Sequence, residues 1–162
     1  MDILRSALSL VIHRGGKVSI RDITSLIKRY RSKRGIEIDQ DEYVRAIKTS
    51  TEYYHQERAR VFICTDRPCA KRSIFEISED CLDSLSAKIG CSVITTGCHW
   101  QCDDAPVITL KVGDKTKHYL KCETQARRDQ VLESIRDLVA CDKAKQEKKP
   151  CQTDGEEKCL IG

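Results

Sequence analysis

No apolar run in this sequence approaches the roughly 20 residues that would cross a bilayer, so no membrane-spanning segment is expected. The opening Met1-Asp2-Ile3-Leu4-Arg5 lacks the basic region, apolar stretch and small-residue cleavage site of a secretory signal, which predicts a cytoplasmic protein. Also missing are a nucleophile beside its base, a phosphate-binding glycine loop and a carboxylate pair spaced for acid–base work. Asp103-Asp104 are merely adjacent and set local charge. The chain alone is therefore not expected to be an enzyme. What it has in excess is cysteine, ten in 162 residues. In a cytoplasmic setting that number points to metal or redox chemistry before disulfides.

Two cysteine pairs organise the chain, Cys64-x4-Cys69 and Cys98-x3-Cys102. The run from Val61 to about Cys64 reads as a buried strand and breaks at Pro68, leaving two thiols on one loop. Cys91-Ser92-Val93-Ile94-Thr95-Thr96 reads as a second strand, and Gly97 opens the loop that carries the other two, where a tight turn is expected. If the strands are neighbours, four sulfurs face one point at one end of a sheet. Four thiolates suit a [2Fe-2S] cluster or a tetrahedral zinc. Structural zinc sites usually use C-x2-C knuckles, whereas the wider spacers here suit the span of two irons.

The segments Ile63-Cys64-Thr65-Asp66-Arg67-Pro68-Cys69 and Thr96-Gly97-Cys98-His99-Trp100-Gln101-Cys102-Asp103-Asp104-Ala105-Pro106-Val107 resemble the thioredoxin-like [2Fe-2S] ferredoxins. That family includes the small cluster-bearing subunit of respiratory NADH dehydrogenases and NAD-linked hydrogenases. The resemblance covers about half the chain and implies that Cys64, Cys69, Cys98 and Cys102 bind the cluster, one pair to each iron. It further implies redox partner proteins and, as small ferredoxins are often dimers, a homodimer. Two features depart from the pattern. His99-Trp100-Gln101 stands where small or aliphatic residues are usual, and the segment between the pairs is shorter than in the respiratory subunits, which argues against membership of a respiratory complex.

The expected architecture is α+β: a thioredoxin-like ferredoxin domain over residues 59–140, with a mixed sheet and flanking helices. A small helical region, 1–58, precedes it and a disordered tail, 141–162, follows. In the helical region, helices are predicted over about 2–13, from a cap at Ser19 to a stop at Gly35, and after Asp39 or Asp41. That region holds 13 Lys and Arg against 8 Asp and Glu over residues 1–60, a net of +5, densest at Lys28-Arg29-Tyr30-Arg31-Ser32-Lys33-Arg34. The plain reading is a solvated helix face. The functional readings are DNA contact or docking of an acidic redox partner.

After the first strand the order βαβββα is expected: a helix through Leu82, Leu85 and Ile89 to Gly90, the second strand, a hairpin turning at Gly113-Asp114, and a last helix from about Thr124. Cys81 (mid-helix), Cys91 and Cys122 are expected to be buried small hydrophobes, with Cys81 or Cys91 the alternative ligands. His99 is the alternative zinc ligand, and Trp100 is placed to shield the centre or meet a partner. Cys141, Cys151 and Cys159 read as exposed thiols in a tail rich in Lys, Glu and Gln. The final Cys159-Leu160-Ile161-Gly162 has a C-a-a-X shape without a usual last residue, so prenylation is not expected.

The function expected is electron transfer by one [2Fe-2S] cluster, in a ferredoxin or a subunit of a larger oxidoreductase. The rivals are a redox-sensing regulator that binds DNA through the basic helices, and a structural zinc interaction module.

Overall fold

The computed structural model describes residues 2–56, 58–72, 78–98 and 101–147. Three helices come first: α1 (Ile3–His13), α2 (Ile20–Arg34) and α3 (Gln40–His55). Each begins where a short polar side chain offers an oxygen to an unpaired backbone N–H. Asp2 accepts from Arg5 N–H, Ser19 and Asp22 form a reciprocal capping box, and Asp39 accepts from Glu42 N–H. Gly35 ends α2 in the left-handed region (φ 61°), which a side chain would disfavour.

The chain then runs through β1 (Arg60–Cys64), α4 (Arg67–Arg72), α5 (Glu79–Ile89), β2 (Ser92–Thr96), a 3-10 turn (Cys102–Asp104), β3 (Ile108–Val112), β4 (Lys115–Tyr119) and α6 (Gln125–Glu147). One mixed sheet has the order β2-β1-β3-β4. β1 pairs with β2 in parallel, setting Cys64 opposite Thr96, while β3 is antiparallel to both β1 and β4. The result is an α+β fold in which helices cover both faces of the sheet. Every residue of β1 is buried, as a central strand with two covered faces requires.

Alternation along β1 divides the core. Val61 and Ile63 meet Leu85 and Ile89 of α5 and Val131, Leu132, Ile135 and Val139 of α6. Phe62, 0% exposed, points the other way into Ala7, Leu10, Val11, Tyr43 and Ile47 of α1 and α3. The N-terminal helices therefore share a core with the sheet, and α1 also touches β2.

Two cations lie inside this layer. Arg60 and Lys111, 5% and 2% exposed, are register partners on β1 and β3. Like charges so placed repel, and burial together with Arg60 holds the Lys111 ammonium below its ordinary range. Each reaches a backbone carbonyl at the C-terminal end of α3, the negative end of the helix dipole, and each has one further acceptor. Arg60 donates to the Tyr53 carbonyl at 2.6 Å and to the Gln56 side chain, and Lys111 to the carbonyls of Gln56 at 3.3 Å and Gly113 at 2.7 Å.

Composition predicts loss of structure from about residue 141, yet α6 continues to Glu147. Helix-forming Lys, Gln and Glu extend a helix already docked by its first half. The short α4 has no apolar periodicity, so no pattern in the sequence announces it. Among the described residues no helix is long and apolar enough to cross a membrane. His99, Trp100, Cys151, Cys159 and the C-a-a-X-shaped end lie outside the described residues.

Candidate functional site

Parallel pairing decides where the cysteines go. Because β1 and β2 run the same way, both end at the same edge of the sheet. The loops after Cys64 and Thr96 therefore leave side by side. Cys69 returns from the first turn of α4, and Cys102 opens the 3-10 turn.

All four predicted thiols are thereby brought together, as hydrogen-bonding neighbours. Cys98 Sγ lies 3.3 Å from Cys102 Sγ. Cys64 hydrogen-bonds both Cys69 and Cys98, linking the two loops. Its thiol is pushed up to about 11, first by donating to Cys69, and is eased by Cys98. Cys69 shows the opposite face of that contact, its pKa lowered chiefly by the hydrogen bond from Cys64. Two backbone N–H groups also favour negative sulfur, Asp66 toward Cys64 and Val107 toward Cys69.

Cys64 and Cys69, each 2% exposed, sit in a small apolar cluster with Ala105, Val107 and, at its margin, Leu120. Ala105–Pro106 is a cis peptide. On the solvent side Cys98 is half-buried and Cys102 exposed. The Cys102 thiol is pushed up to about 11, first by its own burial against the loop and then by Cys98 and the charges of Asp66 and Asp103. Gln101, between the second pair, has a buried Oε1 with no hydrogen-bond partner among the described residues.

Cys98 and Cys102 stand in direct contact rather than spread around a gap. Tetrahedral metal–sulfur bonds of about 2.3 Å would hold sulfurs roughly 3.8 Å apart, and Cys98 and Cys102 are closer than that. Consistently, no group of three or more His, Cys, Asp or Glu among the described residues is disposed as a metal site.

Residues invisible to motif reading complete the site. Thr96 is fully buried, and its carbonyl accepts the backbone N–H of Thr65 at 3.0 Å, the Thr65 hydroxyl at 3.0 Å and the Arg5 guanidinium at 3.1 Å. Arg5 also donates to the Thr65 hydroxyl. Gly97 corrects an expectation. Its φ is not positive, so no left-handed turn requires glycine there. A Cβ at Gly97 would instead lie 3.0 Å from Ser9 Oγ of α1. The glycine is fitted to a helix some 90 positions earlier in the chain, which no local signal reveals.

The other cysteines divide. Cys122 is fully buried in the α6-side core, its thiol directed at the carbonyls of Tyr119 and Leu120, as expected of a small hydrophobe. Cys91 is only half-buried and precedes β2, at the opposite end of that strand from Cys98. Burial pushes its thiol up to about 11. Cys81 is also half-buried and occupies the first turn of α5, not its middle, because the helix starts at the Ser78 cap. Cys141 is exposed on α6. Asp104 pairs with Lys121 at 3.8 Å, which ties the 3-10 turn to the segment after β4. No family model matches the chain, and no curated protein matches it.

Proposed function

We propose that this chain is an electron-transfer protein in which Cys64, Cys69, Cys98 and Cys102 hold one [2Fe-2S] cluster, as a ferredoxin or as an electron-transfer subunit of a larger oxidoreductase. The observation that carries the reading is the link between loops: Cys64 reaches both its own partner Cys69 and Cys98 of the distant pair. The strand order β2-β1-β3-β4, with β1 and β2 parallel and helices on both faces, supports a thioredoxin-like assignment.

The donor set fits the group in the kind of atom it offers, while Cys98 and Cys102, now in direct contact, would have to part to hold it. Four thiols are the soft ligands such clusters take, and Asp66 and Val107 already aim N–H groups at sulfur. Bound there, the cluster would supply a reversible one-electron couple. The chain's own residues set its conditions. Ala105, Val107 and Leu120 keep water from the Cys64 and Cys69 side, while the exposed Cys102 leaves an edge for a redox partner protein. The partner and any homodimer contact belong to that edge or to the basic helices, in a cytoplasmic setting.

A second reading rests on α2. Arg21, Lys28, Arg29, Arg31 and Lys33 are exposed there, while Ile23 and Leu26 are buried. A redox-sensing regulator would use that face on phosphates, with retention on duplex DNA falling steeply as salt rises.

The test is anaerobic purification and reconstitution with iron and sulfide, followed by absorption and electron paramagnetic resonance spectra before and after dithionite. A red-brown protein with equal iron and inorganic sulfide, and a paramagnetic signal only after reduction, is expected. A colourless protein that holds zinc through the same cysteines overturns the carrier and leaves a structural zinc module.

A further inference from the structure

The N-terminal helix reaches the cysteine loops at one point, and that point carries a fixed charge. Arg5 projects from the first turn of α1 to the ends of β1 and β2. It donates to Thr65, the residue after Cys64, and to the Thr96 carbonyl, two residues before Cys98. Those two acceptors are themselves joined, since both the Thr65 hydroxyl and its N–H donate to the Thr96 carbonyl. A guanidinium thus closes the triangle from which the two loops diverge. Ser9, one turn further along α1, donates to the Arg5 carbonyl at 2.8 Å and seals against Gly97. The same helix therefore holds the roots of both loops.

Charge gives the contact a second consequence. The acids felt at the exposed thiol, Asp66 and Asp103, are negative. Arg5 places a positive group on the same loops, within a partly buried contact where Coulomb interactions are screened less than in water.

We propose that Arg5 is a positioning residue for the cysteine centre, which pins the two ligand loops together from α1 and biases the centre toward its more negatively charged, reduced state. The bias rests on the cluster reading of the preceding subsection, whereas the pinning is independent of it.

Two measurements on the full chain separate these. In the reconstituted protein, a potentiometric titration followed by absorbance should move to more negative potential in Arg5→Gln. A tenfold change in the reduction equilibrium, about 59 mV for one electron, is the expected size, and Arg5→Lys, which keeps the charge, should recover most of it. The Gln shift should also shrink at high salt. Equal potentials for wild type and Arg5→Gln at equal iron content overturn the bias. In the metal-free chain, amide hydrogen exchange reads the pin. The Thr65 N–H should exchange about tenfold faster in Arg5→Gln, with amides in the α6-side core unchanged, and Arg5→Lys should restore only part of the protection because it lacks the planar fork. Unchanged Thr65 exchange overturns the pin. If wild type takes up no iron and sulfide, the cluster reading and the bias fall together, and the exchange result still decides the pin.

Discussion

The Thr65 hydroxyl donates to the Thr96 carbonyl at 3.0 Å across the ends of two parallel strands. This cross-strand bond sits one residue after Cys64 and two before Cys98, so it fixes how far apart the two loops begin. Removing it should be felt both in stability and at the centre. Thr65→Val deletes the donor and also the acceptor used by Arg5, and should cost about 1–2 kcal/mol. Thr65→Ser should cost less than half of that. Chemical denaturation of the metal-free chain measures both.

Gly97→Ala tests the seam between α1 and the second loop. Its new Cβ would crowd Ser9 Oγ, and a tightly packed contact of this kind costs about 1–3 kcal/mol when overfilled. Ser9→Ala removes the crowding atom. The double variant should therefore be more stable than the sum of the single changes predicts, by about 1 kcal/mol in a double-mutant cycle. Strict additivity would mean that the two residues do not meet.

Serine replacements sort the cysteines. Cys64→Ser, Cys69→Ser, Cys98→Ser and Cys102→Ser should each reduce retained iron by about tenfold or more, since hydroxyl oxygen is a poor substitute for thiolate toward such clusters. Cys141→Ser, at an exposed position on α6, should leave iron content unchanged. Iron and sulfide analysis after gel filtration gives the answer. Loss of iron in the Cys141 variant would redirect attention to α6.

His118 gives the pH dependence of the fold. Burial, and then the charge of His13, lower its pKa below the ordinary 6.5, and its Nδ1 lies 2.9 Å from the Thr109 hydroxyl. A histidine that is harder to protonate in the folded than in the unfolded chain contributes stability above pH 6.5. That contribution is lost as pH falls through the folded value. Unfolding free energy of the metal-free chain should therefore drop below pH 6.5 with a slope of no more than about 1.4 kcal/mol per pH unit from this group. His118→Asn should flatten that part of the profile. An unchanged slope would place the titration elsewhere.

Much of the architecture was legible because its signals are local. Ser19, Asp39, Gly35 and Gly90 mark helix ends through caps and left-handed glycines that act within one turn. Gly113-Asp114 marks the β3–β4 hairpin in the same way. Alternation failed to announce β1, since a strand buried on both faces has no polar side, and length and the break at Pro68 had to serve. The centre was legible in its thiols but not in its frame. Arg5 and Ser9 are unremarkable residues of an amphipathic helix until that helix is laid on the sheet.

Sequence alone therefore determined which residues are chemically able to form the centre and where the backbone must start, stop and turn. Both follow from side-chain chemistry and from interactions spanning a few residues. Only the tertiary structure decided that the two cysteine loops meet, that Cys64 is the thiol joining them, and that α1 supplies the charge at their root. Those facts depend on β1 and β2 pairing in parallel and on Phe62 drawing α1 and α3 onto the sheet. Pairing and packing of that kind are settled by burial over the whole chain, not by any short stretch of it.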